Sequence, residues 1–145
     1  MSNMFCFQCE QTAGGKCCTK IGVCGKSAEV ANGQDELTGS LVGLARAAGK
    51  AGTHGRSADE LMLQGLFTTI TNVNFDIDRV NEMIKLVEEE KVKLGGADNL
   101  PVGALWTGDP DIISLRSTLL LGIRGMAAYA WHAYVLGKEN PEVTE

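Results

Sequence analysis

The chain has 145 residues, of which 44% are hydrophobic and 21% are charged, a composition typical of soluble globular proteins. A chain of this length buries roughly 68–70% of the surface that its unfolded form exposes, which is enough for one domain with a real core. The formal net charge is −5, and no aromatic residues are interleaved with clusters of Lys or Arg, so we expect no nucleic-acid partner.

The amino terminus and the most apolar region both argue against secretion and membrane insertion. Residues 1–10 lack the basic start and the long apolar stretch of a signal peptide. The region 118–137 is interrupted by Arg124 and His132, and a charge near the centre of a membrane span is costly, so it predicts a buried helix. We therefore expect a cytoplasmic protein with no membrane partner. In that compartment clustered cysteines are more often metal ligands or redox groups than disulfides.

All five cysteines lie between Cys6 and Cys24. This asymmetry predicts a cysteine-rich cluster-binding segment, 1–26, followed by a helical body, 27–145. Gly14, Gly15 and Gly22 lie between the cysteines, where a loop that wraps a metal needs backbone freedom.

The cysteine spacing is C-x2-C-x8-C-x5-C when Cys6, Cys9, Cys18 and Cys24 are taken as the ligands. Four thiolates complete the shell of a [4Fe–4S] or [2Fe–2S] cluster, and equally that of a structural zinc ion. Residue types alone favour an iron–sulfur cluster over zinc, with a redox dithiol as the third reading. Neighbouring side chains diverge, so we expect Cys17 to be a bystander, with ligand exchange with Cys18 as the alternative.

The body predicts about four helices and no strand. The first, 35–48, has one apolar face, on which Gly39 and Gly43 allow a close neighbour. The second is expected to open with a capping box between Ser57 and Glu60. The fold class is therefore all-α, a helical bundle with an amino-terminal cysteine-rich loop.

The third helix is expected from about Asp76 to the glycine pair that follows residue 94. Asp109 suits the N-cap of a fourth helix, which runs to about Gly137 and is apolar on nearly every side, so it should be buried against several partners. The sequence at 140–142 has the pattern of another helix start, which predicts a truncated chain. An apolar helix that loses part of its cover in such a fragment favours a homo-oligomer.

Several segments form a more specific pattern: MFCFQCEQTA at 4–13, GVCGK at 22–26, LTG at 37–39, SLRS at 114–117 and GIRGMAAYAWHA at 122–133. Together they resemble the start of the hybrid-cluster proteins, also called prismane proteins or hydroxylamine reductases. The resemblance implies that Cys6, Cys9, Cys18 and Cys24 bind the proximal cluster. Their short spacing is similar to that of members carrying [4Fe–4S], whereas longer spacing accompanies [2Fe–2S].

The resemblance also implies a function. Family members reduce hydroxylamine at a second, hybrid cluster whose ligands come from later domains, and no cysteine follows Cys24 here. The chain is then the part that relays electrons to a hybrid-cluster site outside it, with a redox protein or the remaining domains as partner. Whether it is an enzyme alone stays open. The alternatives are a free-standing electron-transfer module and a zinc-stabilised structural domain.

The sequence also predicts groups that interact with the cluster without binding its iron. Backbone amides around Gly14, Gly15 and Gly22 are candidate donors to cluster sulfurs. A second set, the lysines near the cysteines, could offset the cluster's negative charge. These are Lys16, Lys20 and Lys26.

Overall fold

The computed structural model describes residues 4–9, 13–70 and 74–144. The helices are α1 (Ala28–Ala51), α2 (Arg56–Thr68), α3 (Ile77–Lys93), α4 (Pro110–Val135) and the short α5 (Pro141–Thr144), with 3-10 turns at Ala13–Gly15 and Val102–Trp106. No strand occurs in the described residues, so the predicted all-α class is confirmed. Residues 10–12 of the cysteine-rich segment lie outside the described residues, and the division into 1–26 and 27–145 stays a prediction.

The helix starts follow local capping chemistry. Asp76 accepts hydrogen bonds from the amides of Asp78 and Arg79, which agrees with the predicted start of the third helix. Asp109 accepts one from the amide of Asp111, so the predicted N-cap of the fourth helix is confirmed. Helix α1 begins earlier than the predicted residue 35. The Ser27 hydroxyl caps it by accepting from the Val30 amide at 3.2 Å, which adds about two turns that carry the buried Val30 and Ala31.

The capping box predicted for α2 is absent. The helix begins at Arg56, with Gly55 as N-cap and no side-chain cap. The Glu60 carboxylate does not reach back to Ser57, because it accepts hydrogen bonds from Arg56 at 2.9 Å and from the Tyr134 hydroxyl instead. Tertiary contact with α4 therefore replaces the local cap.

The core lies where α1 packs on α3 and α2 packs on α4. Its most deeply buried apolar side chains come from the middle of α1 and α3, each at most 2% exposed: Leu37, Leu41, Leu44, Val80, Met83 and Val87. The expected close approach to α1 is confirmed. A Cβ on Gly39 would lie 2.4 Å from the Leu100 carbonyl oxygen, and one on Gly43 would lie 2.6 Å from Asn99 Oδ1.

The prediction that the apolar helix α4 is buried against several partners is wrong for this chain. Only Arg124, Ala127 and Ala130 of α4 are buried among the described residues, whereas Leu119 is 63% exposed and Tyr129 is 84% exposed. The reason is that α4 packs on α2 and touches the 102–106 turn, which leaves its opposite face uncovered.

Within the described part of the chain, no helix combines the length and the hydropathy that crossing a membrane requires.

Candidate metal centre

A short antiparallel pairing brings two of the predicted ligands opposite one another. The Cys6 amide donates to the Cys18 carbonyl at 3.1 Å, and the Cys18 amide donates to the Cys6 carbonyl at 2.8 Å. Residues that exchange both hydrogen bonds in this way have Cα atoms about 5.5 Å apart and side chains on the same side of the ribbon. The first and third cysteines of the spacing pattern therefore share one face.

Cys18 lies in the most protected position of the five cysteines. It is 4% exposed and packs with Met4 and with Ala31 of α1, so the ribbon is docked on the helical body. The Ala13 amide donates to its sulfur at 3.5 Å. Hydrogen bonds from the backbone of Ala13 and Val23, helped by the charge of Lys26 and opposed by burial, lower the pKa of the Cys18 thiol. Cys18 is thus predisposed to the thiolate form that binds metals.

A glycine turn makes room for Cys24. The Gly22 amide donates to the Lys26 carbonyl at 2.8 Å, and the Gly25 amide donates to the Gly22 carbonyl at 2.8 Å. A Cβ on Gly22 would lie 3.0 Å from the Cys24 sulfur, so glycine is needed to leave that space. The Gly22 amide itself is bonded to Lys26, so it does not donate to a sulfur. The donors to the Cys18 sulfur are the neighbouring amides of Ala13, next to Gly14, and Val23, next to Gly22, which agrees with the predicted regions.

All five cysteines lie in the described residues and none of them forms a disulfide; Cys6, Cys9, Cys17 and Cys24 are partly exposed. In the described ranges, no three side chains of Cys, His, Asp or Glu come close enough together to hold a single metal ion. The structure therefore pairs Cys6 with Cys18 but does not itself assemble four sulfurs. Thiols concentrated in one short segment of the sequence, with a backbone amide on one sulfur and a glycine clearing space for another, have the chemistry of a thiolate-ligated group.

Two cations are buried near the cysteines. Lys26 is 1% exposed, and its ammonium donates to Gln34 Oε1 at 2.6 Å. Arg124 is 6% exposed; its Nε donates to Thr69 Oγ1 and its Nη2 to Thr38 Oγ1, each at 2.9 Å. Sequence reasoning named Lys26 but did not separate it from Lys16 and Lys20, which are exposed.

Arg124 was not recognised as part of the site from sequence. The available signal was its charge in the middle of an otherwise apolar helix, where an arginine has to find polar partners. Arg124 lines a small cavity of about 30 Å³ together with Cys6, Asp35 and Trp106. Arg124 and the first cysteine therefore line the same small cavity.

Asp35 is the acidic group of this region. Burial raises the pKa of its carboxyl to about 6, although the charges of Arg124 and Lys26 act in the opposite direction. The carboxylate is therefore only partly compensated by the two cations.

Two aromatic residues flank Cys6 in the ribbon. Phe7 makes edge-to-face contacts with Phe5, at a centroid distance of 5.2 Å, and with Trp106, at 5.1 Å. The contact with Trp106 links the ribbon to the Val102–Trp106 turn.

The chain matches the family model described as Prismane/CO dehydrogenase family over residues 4–145. It is 43% identical over 165 residues to a hydroxylamine reductase of Bacteroides fragilis strain YCH46, with 97% of this chain and 30% of the relative covered. A hydroxylamine reductase of Halothermothrix orenii is 40% identical over 177 residues, covering 97% of this chain and 32% of that protein. The enzyme of the same name from Syntrophobacter fumaroxidans is 40% identical over 173 residues, with the same shares. The chain thus spans about a third of the length of these curated relatives.

Proposed function

Because the chain belongs to the Prismane/CO dehydrogenase family, we propose that it is the amino-terminal iron–sulfur part of a hydroxylamine reductase. In this proposal Cys6, Cys9, Cys18 and Cys24 hold a [4Fe–4S] cluster. Electrons pass from it to a hybrid-cluster site formed by residues outside this chain. A cluster of this kind, when bound, supplies one-electron redox chemistry.

The observation that carries the proposal is the pairing of Cys6 with Cys18. It sets two thiols of the pattern on one face, and the Ala13 amide already points at one of the sulfurs. Hydrogen bonds to ligand sulfurs are one of the means by which proteins tune iron–sulfur sites. The family match supports the same ligand set, because it spans all four cysteines.

The protein's own groups give the site its environment. Cys18 is buried against α1, and Phe7 of the ribbon packs edge-to-face on Trp106. Burial strengthens the effect of nearby charges on reduction, since the local dielectric is lower than that of water. We place the protein in the cytoplasm, where thiols stay reduced and available as ligands.

Anaerobic reconstitution with iron and sulfide tests the ligand assignment. Wild-type protein should acquire both elements and an EPR signal on reduction. Cys6→Ser, Cys9→Ser, Cys18→Ser and Cys24→Ser should each lower the iron and sulfide content, whereas a substitution of an exposed residue such as Lys20→Met should not. A [2Fe–2S] spectrum would correct the cluster type, and retention of full cluster content by any of the four serine variants would contradict that ligand.

Hydroxylamine turnover with reduced viologen tests the second half of the proposal. We expect the reconstituted chain alone to accept electrons from the viologen without reducing hydroxylamine, because the catalytic site is assigned to residues outside it. Appreciable ammonia formation by this chain alone would contradict that assignment.

A further inference from the structure

We propose that Lys26 and Arg124 set the reduction potential of the cysteine site through their buried positive charges. The inference rests on the iron–sulfur function proposed above and names residues that do not ligate the cluster. Neither side chain binds the cluster; each is held near the cysteines by hydrogen bonds to other side chains and acts through its charge. The two approach the ribbon from different elements, Lys26 from the Gly22 turn and Arg124 from α4.

Lys26 is fixed in place by a chain of neutral groups. Its ammonium donates to Gln34 Oε1 at 2.6 Å, and Gln34 Nε2 in turn donates to the Asn74 carbonyl at 3.0 Å. The lysine backbone is tied to the same turn as Cys24 by the Gly22 amide. A lysine held this way keeps its charge next to the thiols instead of extending into solvent.

Arg124 is also held by neutral partners. The hydroxyls of Thr38 and Thr69 accept its two hydrogen bonds, which fixes the guanidinium plane between α1 and the end of α2. The shared cavity with Cys6 shows that no helix separates the arginine from the ribbon.

Lys91, another buried cation, differs from Lys26 and Arg124 in its partner. Lys91 is also 1% exposed, but its ammonium is paired with the Glu88 carboxylate. In the described part of the chain, neither Lys26 nor Arg124 forms such an ion pair. Buried charged side chains are usually paired with an opposite charge. Because the hydrogen-bond partners of Lys26 and Arg124 are neutral, the electrostatic potential around them stays positive and favours a nearby anionic group. Cysteine thiolates around a cluster are such a group, and Asp35 offsets only part of that potential.

The direction of the effect follows from charge. Reduction by one electron from dithionite makes the site more negative by one unit, and a nearby buried cation stabilises that product. Removing the cation should therefore make reduction harder. We expect each neutral variant, Lys26→Met and Arg124→Gln, to lower the equilibrium constant for one-electron reduction at least tenfold, which corresponds to a potential lower by about 59 mV.

The test is an EPR-monitored redox titration of the anaerobically reconstituted full chain, with iron and sulfide measured on every sample. Lys20→Met is the matched control, because it makes the same substitution in the same segment at an exposed position, where solvent screens the charge. It should leave the potential unchanged. Lys26→Arg and Arg124→Lys keep the charge and should stay within a few-fold of wild type in the reduction equilibrium.

Each outcome bears on the inference. Normal iron and sulfide content with an unmoved potential in both neutral variants would overturn it while leaving the proposed function intact. If a neutral variant does not take up iron and sulfide, the variant that keeps the charge at the same position must take them up and show the wild-type potential. If that variant also fails to take up the cluster, the side chain acts by packing alone, and the inference is overturned. A wild-type chain that binds no iron and sulfide refutes the proposed function and this inference with it.

Discussion

Replacing Gly39 with alanine should disturb the close contact between α1 and the backbone at Leu100, which follows α3. The Cβ of Gly39→Ala would lie 2.4 Å from the Leu100 carbonyl oxygen, a backbone atom that cannot rotate aside. The Leu100 amide donates to the Gly39 carbonyl at 3.3 Å, so movement of this segment also weakens a hydrogen bond. Overpacking typically costs about 1–3 kcal/mol, and the lost bond about 1 kcal/mol, against a gain in helix propensity of about 1 kcal/mol. We expect a net loss of roughly 1–3 kcal/mol in the free energy of unfolding.

Gly49 offers a matched control in the same helix. A Cβ there would meet nothing within 4 Å, so Gly49→Ala should raise the free energy of unfolding by about 0.5–1 kcal/mol through helix propensity alone. Urea unfolding of both variants followed by far-UV circular dichroism gives the comparison. If Gly39→Ala proved as stable as Gly49→Ala, the close approach of α1 to Leu100 would be refuted.

Three further predictions concern charge, ligand choice and the surface of α4. The raised pKa of Asp35 means that the folded state binds this proton more tightly than the unfolded state, so the resulting stabilisation is present below about pH 4 and lost as pH rises through about 6. Asp35→Asn should remove this pH dependence of the free energy of unfolding and raise that free energy by up to about 3 kcal/mol at pH 8 in urea unfolding. An unchanged pH dependence in the variant would contradict the burial of a charged carboxylate. Cys17→Ser should keep the iron and sulfide content that Cys18→Ser loses, and the reverse result would reassign the ligand. Wild-type protein should exceed the monomer mass in light scattering, with Leu119→Glu shifted toward monomer; a strictly monomeric wild type at all concentrations would count against association through α4.

Much of the helical framework could be predicted because it depends on local chemistry. The helix start near Asp76 and the cap at Asp109 were predictable, since a carboxylate just before a helix can accept hydrogen bonds from the first amides. The glycines at 39 and 43 also signalled a close neighbour. The capping box at Ser57 failed because Glu60 had a tertiary alternative, Tyr134, that no local pattern contains.

The electrostatic part of the site was harder to predict. Lys26, Lys16 and Lys20 look alike in the sequence, and only the fold shows that one of them is buried against Gln34. Arg124 lies 100 residues or so from the cysteines, and its approach to Cys6 depends on how α4 packs. The exposure of α4 was likewise unpredictable from its apolar pattern. A hydrophobic surface favours burial, but its sequence does not identify the element or partner that buries it.

The most direct measurement is the metal content of the protein purified without oxygen, combined with the EPR spectrum of its reduced form. A four-thiolate iron–sulfur site predicts about four iron and four sulfide per chain and a spectrum that appears on adding one electron. A sample that contains stoichiometric zinc, no sulfide and no reducible signal would contradict that site and leave a helical domain stabilised by a redox-inactive ion.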